Sequence, residues 1–86
     1  MHSVELMEEA ITLSKRLGWQ IRYEFLGEVG GGACEIGKAK WIFIDLALSP
    51  LDQFDQVIQA LQADPAVYGE DIPEELAGYF EVRRAA

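Results

Sequence analysis

The stretch Ala39-Lys40-Trp41-Ile42-Phe43-Ile44-Asp45-Leu46 decides the fold. Side chains alternate between the two faces of an extended chain, so Trp41 and Phe43 share one side and Ile42 and Ile44 the other. A strand that is apolar on both faces belongs in the middle of a sheet or against a partner. Just upstream, residues 33–36 read as a second strand. Gly37-Lys38 joins the two as a tight turn, with glycine first as a type II′ hairpin prefers. Further back, residues 19–26 alternate: Trp19, Ile21, Tyr23 and Phe25 face one way, Gln20, Arg22, Glu24 and Leu26 the other. An interior place for 39–46 predicts the strand order 1-3-2, with strand 3 parallel to strand 1 and antiparallel to strand 2. Gly27 and the run Gly30-Gly31-Gly32 then carry the chain across the end of strand 3 and leave strand 2 as an exposed edge.

Helices flank this block. Leu6, Ala10, Leu13 and Leu17 recur at helical spacing, with Met7 and Ile11 beside them, and predict a helix over 4–17. Ser3 stands as its cap. Glu5, Glu8 and Glu9 lie near its positive end, Lys15 and Arg16 near its negative end, and Gly18 terminates it. Ser49-Pro50-Leu51-Asp52 opens a second helix with serine as cap and proline in the first turn. Leu51, Phe54, Val57, Ile58 and Leu61 form its apolar stripe. Asp64-Pro65 ends it, because a residue before proline avoids the helical region. Residues 65–72 read as a loop. A last helix starts near Pro73, is weakened by Gly78, docks through Leu76, Tyr79 and Phe80, and carries Arg83 and Arg84 at its end. The expected fold class is α+β, α-β-β-β-α-α, a small three-stranded mixed sheet with helices mainly on one face. It forms a single domain over 1–86, fraying at 1–3 and 84–86.

With 86 residues, half of them hydrophobic, the chain has material for one core and no second one. Fifteen acids against seven bases give a net charge of −8. That field repels phosphate and argues against nucleic acid as a partner. The bases, Lys15, Arg16, Arg22, Lys38, Lys40, Arg83 and Arg84, form no stripe, and the charge serves solubility. Cys34 has no second cysteine to pair with. The start Met-His-Ser-Val-Glu lacks the basic and apolar pattern of a secretory leader, no stretch is long enough for a membrane span, and the cytoplasm is the expected compartment.

Candidate chemistry centres on Gly30-Gly31-Gly32 and Cys34. Successive glycines can form a nest of backbone amides that binds an anion and activates a neighbouring thiol. The run lacks the G-x-x-x-x-G-K-[ST] pattern, however, and it opens a strand where a phosphate site opens a helix. The single histidine, His2, sits at the terminus, so no Cys-His pair is supplied. A small strand thiol, with glycines that let the chain cross the sheet, is the plainer reading. One histidine and one cysteine do not make a zinc site. Asp64, Glu70, Asp71, Glu74 and Glu75 lack calcium-loop spacing and are expected to cap helices and face water. No metal or cofactor is expected. Asp45 shares a strand face with Trp41 and Phe43, where a carboxylate could be buried; the plainer expectation is that it reaches solvent or a nearby backbone N–H.

Trp19, Tyr23, Phe25, Trp41 and Phe43 gather on the sheet and supply core. If the strand 1 row packs under the helices, one apolar side of strand 3 stays open. An exposed patch with Trp41 or Phe43 implies a protein partner or a homodimer.

The order of a helix, G-W-Q-I-R-Y-E-F-L-G, a glycine run with C-E-I-G-K, W-I-F-I-D-L and S-P-L-D-Q-F resembles a group of short bacterial proteins of uncharacterised activity with a G-G-x-C loop before a hairpin, over roughly residues 5–80. In layout it is also similar to the front part of the ImmA/IrrE-type zinc peptidases. There, a helix, a strand, a glycine-containing loop and a hairpin precede a helix bearing H-E-x-x-H. Here that helix, from Leu51 to Ala63, contains no histidine, so the metal ligands and general base of that family have no counterparts. The resemblance implies the 1-3-2 order and an edge strand suited to pairing with an extended peptide. The expected function is a non-enzymatic interaction module using the open sheet face or the edge strand, with Gly30, Gly31, Gly32, Cys34, Trp41 and Phe43 as binding residues. A thiol-dependent enzyme or redox sensor using Cys34 is the alternative.

Overall fold

A computed structural model describes residues 3–27 and 31–85; the side chains of Ser3 and of 81–85 are outside the description. Gly30, the Ser3 cap and the side chains of Arg83 and Arg84 therefore lie outside the described residues. The elements run α1 (Ser3–Arg16), β1 (Trp19–Glu24), β2 (Gly32–Ile36), β3 (Ala39–Asp45), α2 (Pro50–Gln62), a short 3-10 helix (Pro65–Gly69) and α3 (Glu74–Ala85).

The sheet order is β1-β3-β2. β3 pairs in parallel with β1, from Trp19 beside Lys40 to Glu24 beside Asp45. It pairs antiparallel with β2, from Gly32 beside Phe43 to Ile36 beside Ala39. Gly37 adopts φ 63°, and among the described residues no residue other than glycine has a positive φ. A positive first residue followed by a negative Lys38 matches the type II′ turn and excludes type I′.

Registry decides which face meets the helices. Trp19 and Ile21 on β1 stand beside Lys40 and Ile42 on β3, so the two rows share a face. Ile42 and Ile44 are wholly buried there with Leu6, Ala10 and Leu13 of α1 and Phe54, Val57, Ile58 and Leu61 of α2. Leu76 and Phe80 of α3 and Val67 of the 3-10 helix close the same core. Trp41 and Phe43 belong to the opposite face, which no helix covers among the described residues.

The described ends of the link from β1 to β2, at Leu26 and Gly31, lie against the end of β3. Asp45 holds the first of them there: its Oδ1 accepts from the Ala47 N–H at 2.9 Å and from the Leu26 N–H at 3.4 Å. The side chain is buried, so the backbone half of the sequence expectation for Asp45 is met and the solvent half is not. Gln56 of α2 accepts from the Asp45 N–H at 3.0 Å. A Cβ on Gly31 would stand 2.5 Å from the Phe43 carbonyl oxygen and would collide with the Gln56 amide. Glycine at 31 thus lets the loop pass between β3 and α2. Gly31→Ala is expected to cost about 1–3 kcal/mol by overpacking, whereas Gly69→Ala, with open space around its Cβ position, should be near neutral; urea midpoints compare the two.

Several expectations are corrected. β1 ends at Glu24, and Phe25, placed in the buried row by alternation, is 76% exposed. Leu51, assigned to the buried stripe of α2, is 66% exposed, because the stripe meets the core only from Phe54 onward. The loop after α2 contains a 3-10 turn, capped by Asp64, whose Oδ1 accepts from the Ala66 N–H at 3.0 Å. The α2 cap is as expected: Ser49 Oγ accepts from the Asp52 N–H at 3.2 Å.

Candidate functional site

The uncovered face of the sheet is built around β3. Trp41 and Phe43, two residues apart, stack with ring centroids 6.0 Å apart and planes inclined by 23°. Each is half-buried, shielded by the other and by its neighbours in register. Cys34 of β2 lies beside Trp41, and Gln20 and Arg22 of β1 lie beside Trp41 and Phe43. Arg22 pairs with Glu24 along the same strand face. Ile36 extends the apolar surface beyond Cys34 and is 56% exposed. The row Ile36, Cys34, Trp41 and Phe43 is therefore continuous across two strands.

β2 is the outer strand on this side, and residues 33–36 are all exposed. One edge of its backbone bonds to β3; among the described residues, the other has no strand beside it. Such an edge is a template for another extended chain. Behind it, toward α2, a cleft of about 320 Å³ opens between Ala33, Glu35, Ala60, Ala63 and Pro65. Alternate side chains of an added strand would point into that cleft and onto the aromatic face.

Of the residues chosen from sequence, Cys34, Trp41 and Phe43 are brought together on one face. Gly32 is beside Phe43 in register, with φ 122°. Gly31 is exposed, and an added Cβ there would meet the Phe43 carbonyl and the Gln56 amide. The Cys34 thiol is exposed, and its one polar contact among the described residues is the Glu35 carbonyl oxygen at 4.0 Å. Among the described residues no group of three or more His, Cys, Asp or Glu side chains gathers as a metal site, and no helix is long and apolar enough to cross a membrane.

Two features were not read from the sequence. The first is a polar cluster that lines the same cleft as Ala33 and Glu35. Asp64 Oδ2 accepts from Trp19 Nε1 at 3.0 Å and from Lys40 Nζ at 3.2 Å. Lys40 Nζ also donates to the Leu17 carbonyl at 3.0 Å and sits 4.8 Å from the centre of the Trp19 ring. Burial pushes the Asp64 carboxyl up, but the Ala66 N–H, the Trp19 N–H and the Lys40 ammonium outweigh it and hold the group below the usual aspartate value. Asp64 is thus a cross-link between β1, β3 and the end of α2, not the solvent-facing acid the sequence suggested. Its neighbour in that expectation, Glu70, accepts from Arg16 at 3.1 Å. The second feature is a groove between α2 and α3, floored by Phe54 and Ile58 and lipped by Leu51 and Tyr79.

No protein-family model, curated protein or solved structure matches the chain.

Proposed function

We propose that this protein is a non-enzymatic interaction module that binds a protein chain through the open sheet face and the β2 edge. The observation that carries this reading is the stacked Trp41–Phe43 pair on the face away from all three helices, continuous with the exposed Cys34 and Ile36 of an edge strand. Aromatic side chains held rigid by a sheet are good contact surface, because little conformational freedom is lost when they are covered. An extended segment laid along β2 would gain backbone hydrogen bonds and place alternate side chains on the aromatic row. The scaffold that the chain resembles in layout uses its edge strand in this way.

The lone thiol provides the test. A photo-crosslinker attached to Cys34 is expected to give one defined covalent adduct in cell extract, with the mass of a second copy or of another protein. The same probe on Glu8 of α1, in a Cys34→Ser, Glu8→Cys chain, should not give it. Adducts that are the same from both positions, or none from either, would overturn the proposal. In the alternative, Cys34 is itself the reactive group, and its exposure makes that testable on the same sample. Native-state labelling no faster than that of a cysteine in an unstructured peptide eliminates it.

A further inference from the structure

The register of the hairpin fixes which backbone groups of β2 point outward. In a two-residue hairpin the residues flanking the turn exchange both their backbone hydrogen bonds. Ile36 therefore bonds to Ala39 and, by alternation, Cys34 to Trp41 and Gly32 to Phe43. The N–H and C=O groups of Ala33 and Glu35 face away from β3, and among the described residues no strand takes them up. The usual protection of an edge is thin here. β2 contains no proline, its register against β3 runs unbroken from Gly32 to Ile36, and Glu35 is its one charged residue.

A strand of five residues whose outward groups sit symmetrically about its centre is complementary to itself. Laid antiparallel against a second β2, Ala33 meets the partner's Glu35, Glu35 meets the partner's Ala33, and Cys34 lies on the two-fold axis. This register overlaps the whole strand and satisfies every outward group. An axis through Glu35 would set two like charges directly opposite, and one through Ala33 would pair Glu35 with Gly31, outside β2. Charge permits the approach. The chain carries −8, but residues 32–38 hold one acid, Glu35, and one base, Lys38. The hollow between the start of β2 and α2 is lined by residues 31–33 and by Gln56, Gln59, Ala60 and Ala63, none of them charged.

We propose that two copies of this chain pair through β2, antiparallel and centred on Cys34, to make one continuous six-stranded sheet. Both Trp41–Phe43 pairs then lie on the same face of that sheet, one on each side of the joined strands. This rests on the reading of β2 as a binding edge and names its occupant.

Sedimentation equilibrium of the intact protein is expected to show a concentration-dependent dimer, weak because five-residue strands make a small interface. It should tighten as salt screens the −8 of each copy. Glu35→Pro removes an outward N–H and should leave a monomer, while circular dichroism shows the fold retained. Ala33→Lys and Ala33→Glu each set a charge opposite the partner's Glu35. The first should tighten the dimer by about fivefold and the second loosen it by about as much; opposite shifts from one exposed site do not arise from a folding defect. Cys34 reports the register. A non-hydrogen-bonded antiparallel pair sets its Cα atoms about 4.5 Å apart, within disulfide reach. Diamide, which accepts the two hydrogens as the S–S bond forms, should therefore link wild-type copies. In a Cys34→Ser, Ile36→Cys chain the thiol faces the partner's Gly32 and should not link. Equal linking at both positions, shifts of the same sign from the two Ala33 variants, a dimer retained by Glu35→Pro, or a wild type monomeric at about millimolar concentration would each overturn the proposal. A monomer that still gives a defined adduct with another protein from Cys34 would sink self-pairing alone and leave the edge reading standing.

Discussion

Ile42→Ala is expected to remove about 3–4 kcal/mol of stability, while Trp41→Ala, one residue away, removes about 1 kcal/mol. The contrast follows from the two faces of β3. Ile42 is wholly buried between the sheet and α1 and α2, so its truncation loses transfer energy and leaves a cavity that those elements cannot close. Trp41 touches Phe43 and its strand neighbours but has no element above it among the described residues, and its site can relax into solvent. A chain of 86 residues is expected to have roughly 4–13 kcal/mol in all, so the Ile42 variant would lose about a quarter to nearly all of it and the Trp41 variant about a quarter at most. Urea unfolding with unchanged m-values is the measurement. A loss at Trp41 equal to that at Ile42 would mean that the aromatic face is covered in the free protein.

The second large effect is at Asp64. Asp64→Ala is expected to cost about 2–3 kcal/mol, because it strips the acceptor from a buried indole N–H and from the Lys40 ammonium together. Trp19→Phe removes one donor and should cost less, since no polar group is left stranded. Acid separates the parts. The folded protein holds the Asp64 carboxyl below its ordinary value, so the ionised form is the one that stabilises. That contribution is fully present above the unfolded aspartate pKa of about 3.9 and is lost as the pH falls through the lower folded value. The stability gap between the wild type and Asp64→Asn should therefore be constant near neutrality and narrow on acidification below about pH 4. A gap that widened in acid would contradict the network.

The strand order was legible because one short segment carried two apolar rows, and only an interior strand uses both. Which row the helices would take was not legible from β3 alone. It followed from Trp19 and Ile21 of β1 standing in register with Lys40 and Ile42, a pairing that the parallel geometry sets. Hydrophobic pattern failed at the ends of elements. Phe25 and Leu51 satisfy the period, yet one lies past the strand and the other before the point where α2 meets the core. The Asp64 cluster was out of reach because its members are 24 and 45 residues apart and belong to elements whose relative placement is a tertiary fact. That Cys34, Trp41 and Phe43 share a face was legible because the hairpin register follows from the two-residue turn. The α2–α3 groove depends on how far apart two helices pack, which no local pattern encodes.

The two edges of β3 are filled by very different stretches of chain. β2 is tethered to it by two residues, so this half of the sheet closes locally and fast. β1 is separated from β3 by a longer link, the whole of β2 and the turn, and pairs with β3 in parallel on its other side. The polypeptide is thus expected to make a greasy two-stranded ribbon before it has a lid for either side, with the first helix arriving tied to the last strand that joins.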